Sequence, residues 1–179
     1  MAEFNLVDAL GPGYLAALEQ LPLQELRAKR DACSELETDL SYLRRLVQAR
    51  VDLILAVVEA RKAGVPAPGT EDLVERLPHI LGDHERDHGP GRLPTVFAPT
   101  EGAQASLAAR VEEVLPSERL GSLSGFSSAD LDELLTRLSA LEREVSQERR
   151  RLHDILDRLQ EELVRRYRSG EASVDALLS

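Results

Sequence analysis

Aromatic residues are scarce in this sequence. Tryptophan is absent, and Phe, Tyr and Trp together supply 3% of the 179 residues. An aromatic-rich β-sandwich, a stacking platform for single-stranded nucleic acid and an aromatic cage are therefore poor interpretations. Basic residues are in the minority, 22 against 32 acidic ones, and the net charge of −10 argues against binding along a phosphate backbone. We expect a protein or a small ligand as partner, and no direct nucleic acid contact.

Cysteine and long apolar runs are lacking as well. The lone Cys33 cannot form an internal disulfide, and the stretch MAEFNLVDALG has neither a basic start nor a long apolar run. The most apolar stretch, residues 51–58, is interrupted by Asp52 and is far shorter than the ~20 apolar residues of a membrane span. We therefore expect a cytoplasmic protein with no membrane contact. Because a Gly-rich phosphate loop and a nucleophile elbow are also missing, we do not expect an enzyme.

Two long stretches without internal proline or glycine dominate what is present. The first runs from about residue 22 to 63, with Pro22 at a permitted first-turn position and Gly64 after its end. The second, from about 128 to 169, follows Ser127, whose capping-box partner is Asp130. The connector, about residues 64–127, holds seven of the nine prolines and has amphipathic pieces at 71–77 and 103–115. The sequence predicts an all-α single domain over residues 1–179: two long helices and a Pro/Gly-rich connector with one or two short helices.

Apolar residues in both stretches step by alternating threes and fours, the spacing of a coiled-coil seam. Each seam contains one polar slot, filled by Arg50 in the first stretch and by Glu148 in the second. The first seam consists of Cys33, Leu36, Leu40, Leu43, Val47, Ile54 and Val57. The second consists of Leu138, Leu141, Val145, Leu152, Ile155 and Leu159. The constant offset of 105 residues is a whole number of heptads, which indicates an internal duplication.

A polar stripe beside the seam is repeated at the same offset. Its five positions lie within an arc of roughly 80° and extend over about 22 Å of helix. The first copy is Glu37, Ser41, Arg44, Gln48 and Asp52, and the second is Glu142, Ser146, Arg149, His153 and Asp157. Intrahelical ion pairs on a solvated face are the ordinary explanation of such residues. Serine is a mediocre residue in a helix interior, and its recurrence therefore favours a duplicated ligand-binding face.

The chemistry of the stripe suits a guanine nucleotide. Arginine binds phosphate or the O6/N7 edge of guanine, and a carboxylate accepts from the opposite edge of the base. If the two helices are antiparallel, the two copies are related by a pseudo-twofold axis, and a twofold-symmetric guanine dinucleotide fits both. A parallel arrangement, which the long connector also allows, would remove this symmetry argument.

The stripe resembles the signature E-x3-S-x2-R-x3-Q-x3-D of the RsiG family, actinobacterial anti-sigma factors controlled by cyclic di-GMP. Glu37 and the stretch LSYLRRLVQARVDLILA match the first copy of this signature in full. The resemblance implies two antiparallel long helices in a coiled coil, with a cyclic di-GMP dimer bound to the stripes. Because both copies occur in one chain, it also implies the Streptomyces type, which sequesters the WhiG-type sporulation sigma factor.

The resemblance assigns a role to each stripe position. It implies guanine or phosphate contacts for Arg44 and Arg149, and contacts to guanine or to these arginines for Asp52 and Asp157. The remaining positions make polar contacts or complete the two faces: Glu37, Ser41, Glu142, Ser146, Gln48 and His153. One departure is His153 in place of glutamine, because an imidazole lacks the paired donor and acceptor of an amide.

Two other interpretations remain open. The chain could be a coiled-coil adaptor or scaffold without a small ligand. It could also be a metal-dependent hydrolase, because the connector contains a cluster of His79, Asp83, His84, Asp87 and His88. The neighbouring glycines and Pro90 make a sustained helix there unfavourable, and a solvated polar loop is the ordinary explanation. Cys33 lies on the seam, which indicates a small core residue.

Overall fold

The computed structural model describes residues 5–66 and 101–170, including the side chains of all of them except residues 101–107. These two ranges contain four α-helices, two 3-10 helices and no strand. The α-helices are α1 (Leu6–Ala9), α2 (Leu23–Ala63), α3 (Glu101–Val114) and α4 (Ser128–Ser169), and the 3-10 helices are Leu18–Gln20 and Ser117–Gly125. The predicted all-α class and both long helices are confirmed. No helix in the described part of the chain has a long enough apolar stretch to cross a bilayer.

The ends of the long helices follow the signals in the sequence. Gly64 has a φ of 67°, and the bonds from Gly64 N to Arg61 O and from Val65 N to Ala60 O close a Schellman motif. The start of α4 is the predicted capping box, in which Asp130 N donates to Ser127 Oγ and Ser127 N donates to an Asp130 carboxylate oxygen, both at 3.1 Å. Local capping chemistry therefore sets these boundaries.

The predicted seam is largely buried. Arg50 in the polar slot is 6% exposed, whereas Leu36 is half-buried. The other apolar seam positions of both helices are buried: Cys33, Leu40, Leu43, Val47, Ile54, Val57, Leu138, Leu141, Val145, Leu152, Ile155 and Leu159. Cys33 is a free, buried cysteine, as the sequence predicts.

Part of the connector lies within the described residues. The amphipathic piece predicted at 103–115 corresponds to α3, and the 3-10 helix at Ser117–Gly125 follows it. The piece predicted at 71–77 and the histidine cluster at 79–88 lie outside the described residues.

Two compact units divide the chain, and each includes a part of both long helices. The prediction of a single domain stays a prediction. Unit 1 consists of Met1–Leu40 and Gln147–Ser179. Within it, Arg27 Nε donates to the Tyr167 hydroxyl at 3.1 Å, and Arg149 Nη2 donates to Glu37 Oε1 at 2.8 Å. Because residue numbers rise along α2 while they fall along α4, the helix segments of this unit are antiparallel.

The chain before α2 is bound to the helices of unit 1 by polar contacts. The Tyr14 hydroxyl donates to Lys29 O at 3.1 Å, and Lys29 Nζ donates to Tyr14 O at 3.0 Å and lies 3.9 Å from the Tyr14 ring centroid. From α4, Arg166 donates to Leu21 O at 2.5 Å and to Leu18 O at 2.6 Å. The first bond gives the Leu21 carbonyl, just before α2, a partner, and Leu18 O also accepts from Leu21 N at 3.2 Å.

Unit 2 consists of Ser41–Ser146. Its buried apolar residues include the α2 seam positions from Leu43 to Val57, Val111 and Leu115 near the end of α3, Leu123 of the second 3-10 helix and residues of α4. Arg61 near the end of α2 donates to Ser124 O at 3.0 Å and to Phe126 O at 2.5 Å, just before α4 begins. The segment between α3 and α4 is thus fixed to α2 by hydrogen bonds.

Candidate functional site

The ten stripe residues all lie on α2 or α4, and they are divided between the two units. Unit 1 contains Glu37, Arg149, His153 and Asp157. Unit 2 contains the other six: Ser41, Arg44, Gln48, Asp52, Glu142 and Ser146.

In unit 1, the carboxylate of Glu37 joins the two copies of the stripe. Its Oε1 accepts from Arg149 Nη2 at 2.8 Å and from Arg149 Nε at 3.3 Å, and His153 Nε2 lies 3.4 Å from the same oxygen. The side chains of Glu37 and Arg149 are 18% and 23% exposed, whereas that of His153 is 53% exposed. The ion pair is thus partly shielded from water, which strengthens it relative to a surface pair. Asp157, one turn after His153, is exposed.

In unit 2, the guanidinium of Arg44 is the most informative group. Its Nε atom is buried and has no hydrogen-bond partner among the described residues. A buried donor without an acceptor costs about 1–3 kcal/mol. An acceptor on a bound molecule would remove this cost, so the observation fits a ligand site. Gln48 and Asp52, on the next two turns of α2, are exposed.

Ser146, the serine of the second copy, has a local structural role that the sequence analysis did not assign. Ser146 Oγ donates to Glu142 Oε1 at 2.8 Å, one helical turn earlier. The serine can therefore hold the glutamate of its own copy in a fixed rotamer. Ser146 can have this role whether or not a ligand is bound.

Arg50, assigned only to the polar slot of the seam, is at the centre of a buried network in unit 2. Its Nε donates to Leu115 O at 3.0 Å and its Nη2 to Ser117 Oγ at 2.9 Å, and Nη2 also contacts the Glu112 carboxylate. Burial lowers the pKa of Arg50, while the Glu112 charge opposes this shift. Hydrogen bonds from Ser117, followed by the Arg50 charge, lower the pKa of Glu112. The network anchors the end of α3 on α2, and a charged residue in an apolar seam was the signal for it.

A second buried charge cluster lies in unit 1 near the end of α4. Glu162 accepts from Arg165 at 2.8 Å and from Arg166 Nε at 2.7 Å. The hydrogen bonds from Arg165, and then those from Arg166, lower the pKa of Glu162 to about 2 against an opposing effect of burial. Glu162 therefore stays charged and fixes the guanidinium that reaches the carbonyls of Leu18 and Leu21. Helical periodicity contains no information about these contacts.

Comparison with known proteins identifies a family for one part of the chain. Residues 12–81 match the model of the RsiG-like family. This stretch is less than half of the chain; it includes the first stripe copy and ends before the second. A search of curated proteins gives no significant match. The resemblance predicted from the stripe is confirmed for residues 12–81, which are similar to the RsiG-like family.

Proposed function

We propose that the chain is an anti-sigma factor that binds cyclic di-GMP through its two stripe copies and sequesters a WhiG-type sigma factor. The observation that carries the proposal is the buried Arg44 Nε without a partner, on a stripe within the family-matched residues. A guanidinium in this state favours an added acceptor such as the O6/N7 edge of guanine or a phosphate oxygen. The role proposed is regulatory, because RsiG-like proteins are not an enzyme family.

The other stripe residues complement such a nucleotide. The exposed carboxylates of Asp52 and Asp157 can accept from the N1 and N2 donors of guanine. Gln48 and His153, also exposed, add a donor and an acceptor beside them. Three of the five side-chain types of a copy, namely the arginine, the aspartate and the glutamine or histidine, thus have a complementary group on cyclic di-GMP.

Ligand and sigma factor would be coupled by linkage. If cyclic di-GMP binds the complex with the sigma factor more tightly than it binds the free chain, the difference in binding free energy stabilises sequestration. When the messenger concentration falls, the sigma factor is released and transcription resumes. A net charge of −10 also favours association with basic promoter-binding surfaces of a sigma factor.

A ligand-free adaptor is the second candidate function. It is favoured by the pairing of Glu37 with Arg149 and of Glu142 with Ser146, since stripe residues that bond each other need no ligand. The Arg44 Nε distinguishes the two candidate functions. An adaptor without a ligand supplies no acceptor for this buried donor, so the cost of burying it is not offset.

Calorimetric titration of the full chain with cyclic di-GMP tests the proposal. We expect binding by the wild type, a loss of at least about tenfold in affinity with Arg44→Ala, and unchanged affinity with Arg45→Ala, the neighbouring arginine outside the stripe. Cyclic di-AMP and GMP serve as control ligands and should not bind. The absence of heat with the wild type, or equal losses in the two variants, would favour the adaptor.

A further inference from the structure

Two of the five second-copy residues contact a glutamate of the first copy. Arg149 presents its Nε and Nη2 to Glu37 Oε1, and His153 Nε2 lies 3.4 Å from that oxygen. One complete donor edge of the guanidinium is thus occupied by a carboxylate. Less than a quarter of either ion-pair side chain is exposed, so water competes weakly for the pair.

The corresponding arginine of the first copy is in the opposite state. Arg44 Nε is buried without an acceptor among the described residues, whereas Glu142 accepts from Ser146 on its own helix. Among the described residues, the pairing of Arg149 with Glu37 therefore has no counterpart between Arg44 and Glu142. The first-copy arginine thus has a donor that lacks an acceptor in the described part of the chain, and the second-copy arginine is bound to a residue of the chain.

We infer that Glu37 is an autoinhibitory residue, whose carboxylate occupies Arg149 in the free chain and must be displaced before the second stripe copy engages its nucleotide. The inference rests on the proposed function, because it concerns the same ligand. It adds an order of events: cyclic di-GMP meets the Arg44 copy first, and opening of the Glu37–Arg149 pair limits engagement of the second.

Electrostatics supports competition between the carboxylate and the ligand. The phosphates of a cyclic dinucleotide are anionic, and two anions on one guanidinium edge repel each other. The O6 and N7 atoms of guanine accept from two paired donors of a guanidinium edge, and Glu37 occupies the Nε and Nη2 donors of Arg149. Binding of either group at the Nε and Nη2 donors thus requires the ion pair to open.

The expected effect follows from population arithmetic. The apparent dissociation constant equals the intrinsic constant divided by the fraction of competent chains. If the pair is open in about one chain in ten, its removal tightens binding about tenfold.

A comparison of Glu37→Gln with Glu142→Gln in the full chain tests the inference. Glutamine keeps the size and one acceptor oxygen of the side chain but removes its charge. We expect Glu37→Gln to bind cyclic di-GMP about tenfold more tightly than the wild type. Glu142→Gln, the matched change in the other copy, should bind no more tightly than the wild type. Glu37→Ala, which removes the carboxylate altogether, should also bind cyclic di-GMP more tightly than the wild type. Agreement between the two Glu37 variants would show that the effect is not specific to glutamine.

The outcomes separate this inference from the proposed function. If the wild type binds and both Glu37 variants bind equally or more weakly, Glu37 is a ligand contact or holds Arg149 for the ligand, and the inference is wrong while the function stands. If the wild type binds undetectably and Glu37→Gln binds, the inference is supported. If the wild type and both Glu37 variants fail to bind while retaining their helical circular dichroism, the proposed function and the inference fail together.

Discussion

Replacement of Arg50 with methionine should destabilise unit 2 without a change in its apolar packing. Arg50 is 6% exposed and donates to the carbonyl of Leu115 at 3.0 Å and to Ser117 Oγ at 2.9 Å. Methionine is flexible enough to fill the buried space of the arginine stem, but it donates no hydrogen bond. The Leu115 carbonyl, near the end of α3, then loses its bond to the guanidinium.

The expected loss follows from these contacts. Hydrogen bonds that involve a charged group contribute about 1.5–3 kcal/mol. Glu112 keeps its two bonds to Ser117, and its side chain is 39% exposed, so water solvates it after Arg50 is removed. We therefore place the cost near the middle of that range, at about 2 kcal/mol. For a chain of this size, this corresponds to a fall of about 4–8 °C in Tm.

Urea unfolding monitored by far-UV circular dichroism measures this loss. Arg137→Met, an exposed arginine of α4 in the same unit, is the matched control and should change the free energy of unfolding by less than about 0.5 kcal/mol. Equal midpoints for the two variants would show that the Arg50 network adds no stability, and would refute the reasoning.

Other predictions concern the two ends of the helices. Arg166→Met removes the donors to the Leu18 and Leu21 carbonyls and should cost about 2 kcal/mol in urea unfolding, with faster hydrogen exchange near the start of α2; no change would contradict the contacts. Glu162 has its pKa lowered from 4.5 to about 2, so its contribution to stability is complete above about pH 4.5 and is lost as the pH falls toward 2. Glu162→Gln should therefore flatten the acid limb of a urea-midpoint profile, and an unchanged profile would count against that pKa. Gly64 has a φ of 67°, and a Cβ added there would meet open space, so only the backbone conformation disfavours alanine. Gly64→Ala should therefore lower the free energy of unfolding by about 1 kcal/mol in the same assay, and an unchanged midpoint would argue against the Schellman motif at the end of α2.

Periodicity and capping chemistry were sufficient to predict the long helices. The α4 bounds Ser128–Ser169 agree with the predicted 128–169 because Ser127 and Gly170 are local signals that need no tertiary information. The seam was predictable for the same reason, since alternating threes and fours fix which side of a helix is buried.

The partners of polar side chains could not be predicted in this way. The stripe appeared equivalent in its two copies, yet Arg149 pairs with Glu37 while Arg44 Nε has no partner in the described part of the chain. The bonds from Arg50 to Leu115 and Ser117 join residues far apart in sequence, and helical spacing contains no information about them. Motif reasoning therefore located the candidate residues, while their pairing depends on tertiary contacts.

The proposed function requires that a cyclic guanine messenger and a sigma factor bind this chain cooperatively. The most direct measurement is the affinity of the full chain for a WhiG-type sigma factor without cyclic di-GMP and at a saturating concentration of it. The account predicts tighter association with the messenger, and loss of that gain in Arg44→Ala. Identical affinities in both conditions would contradict it.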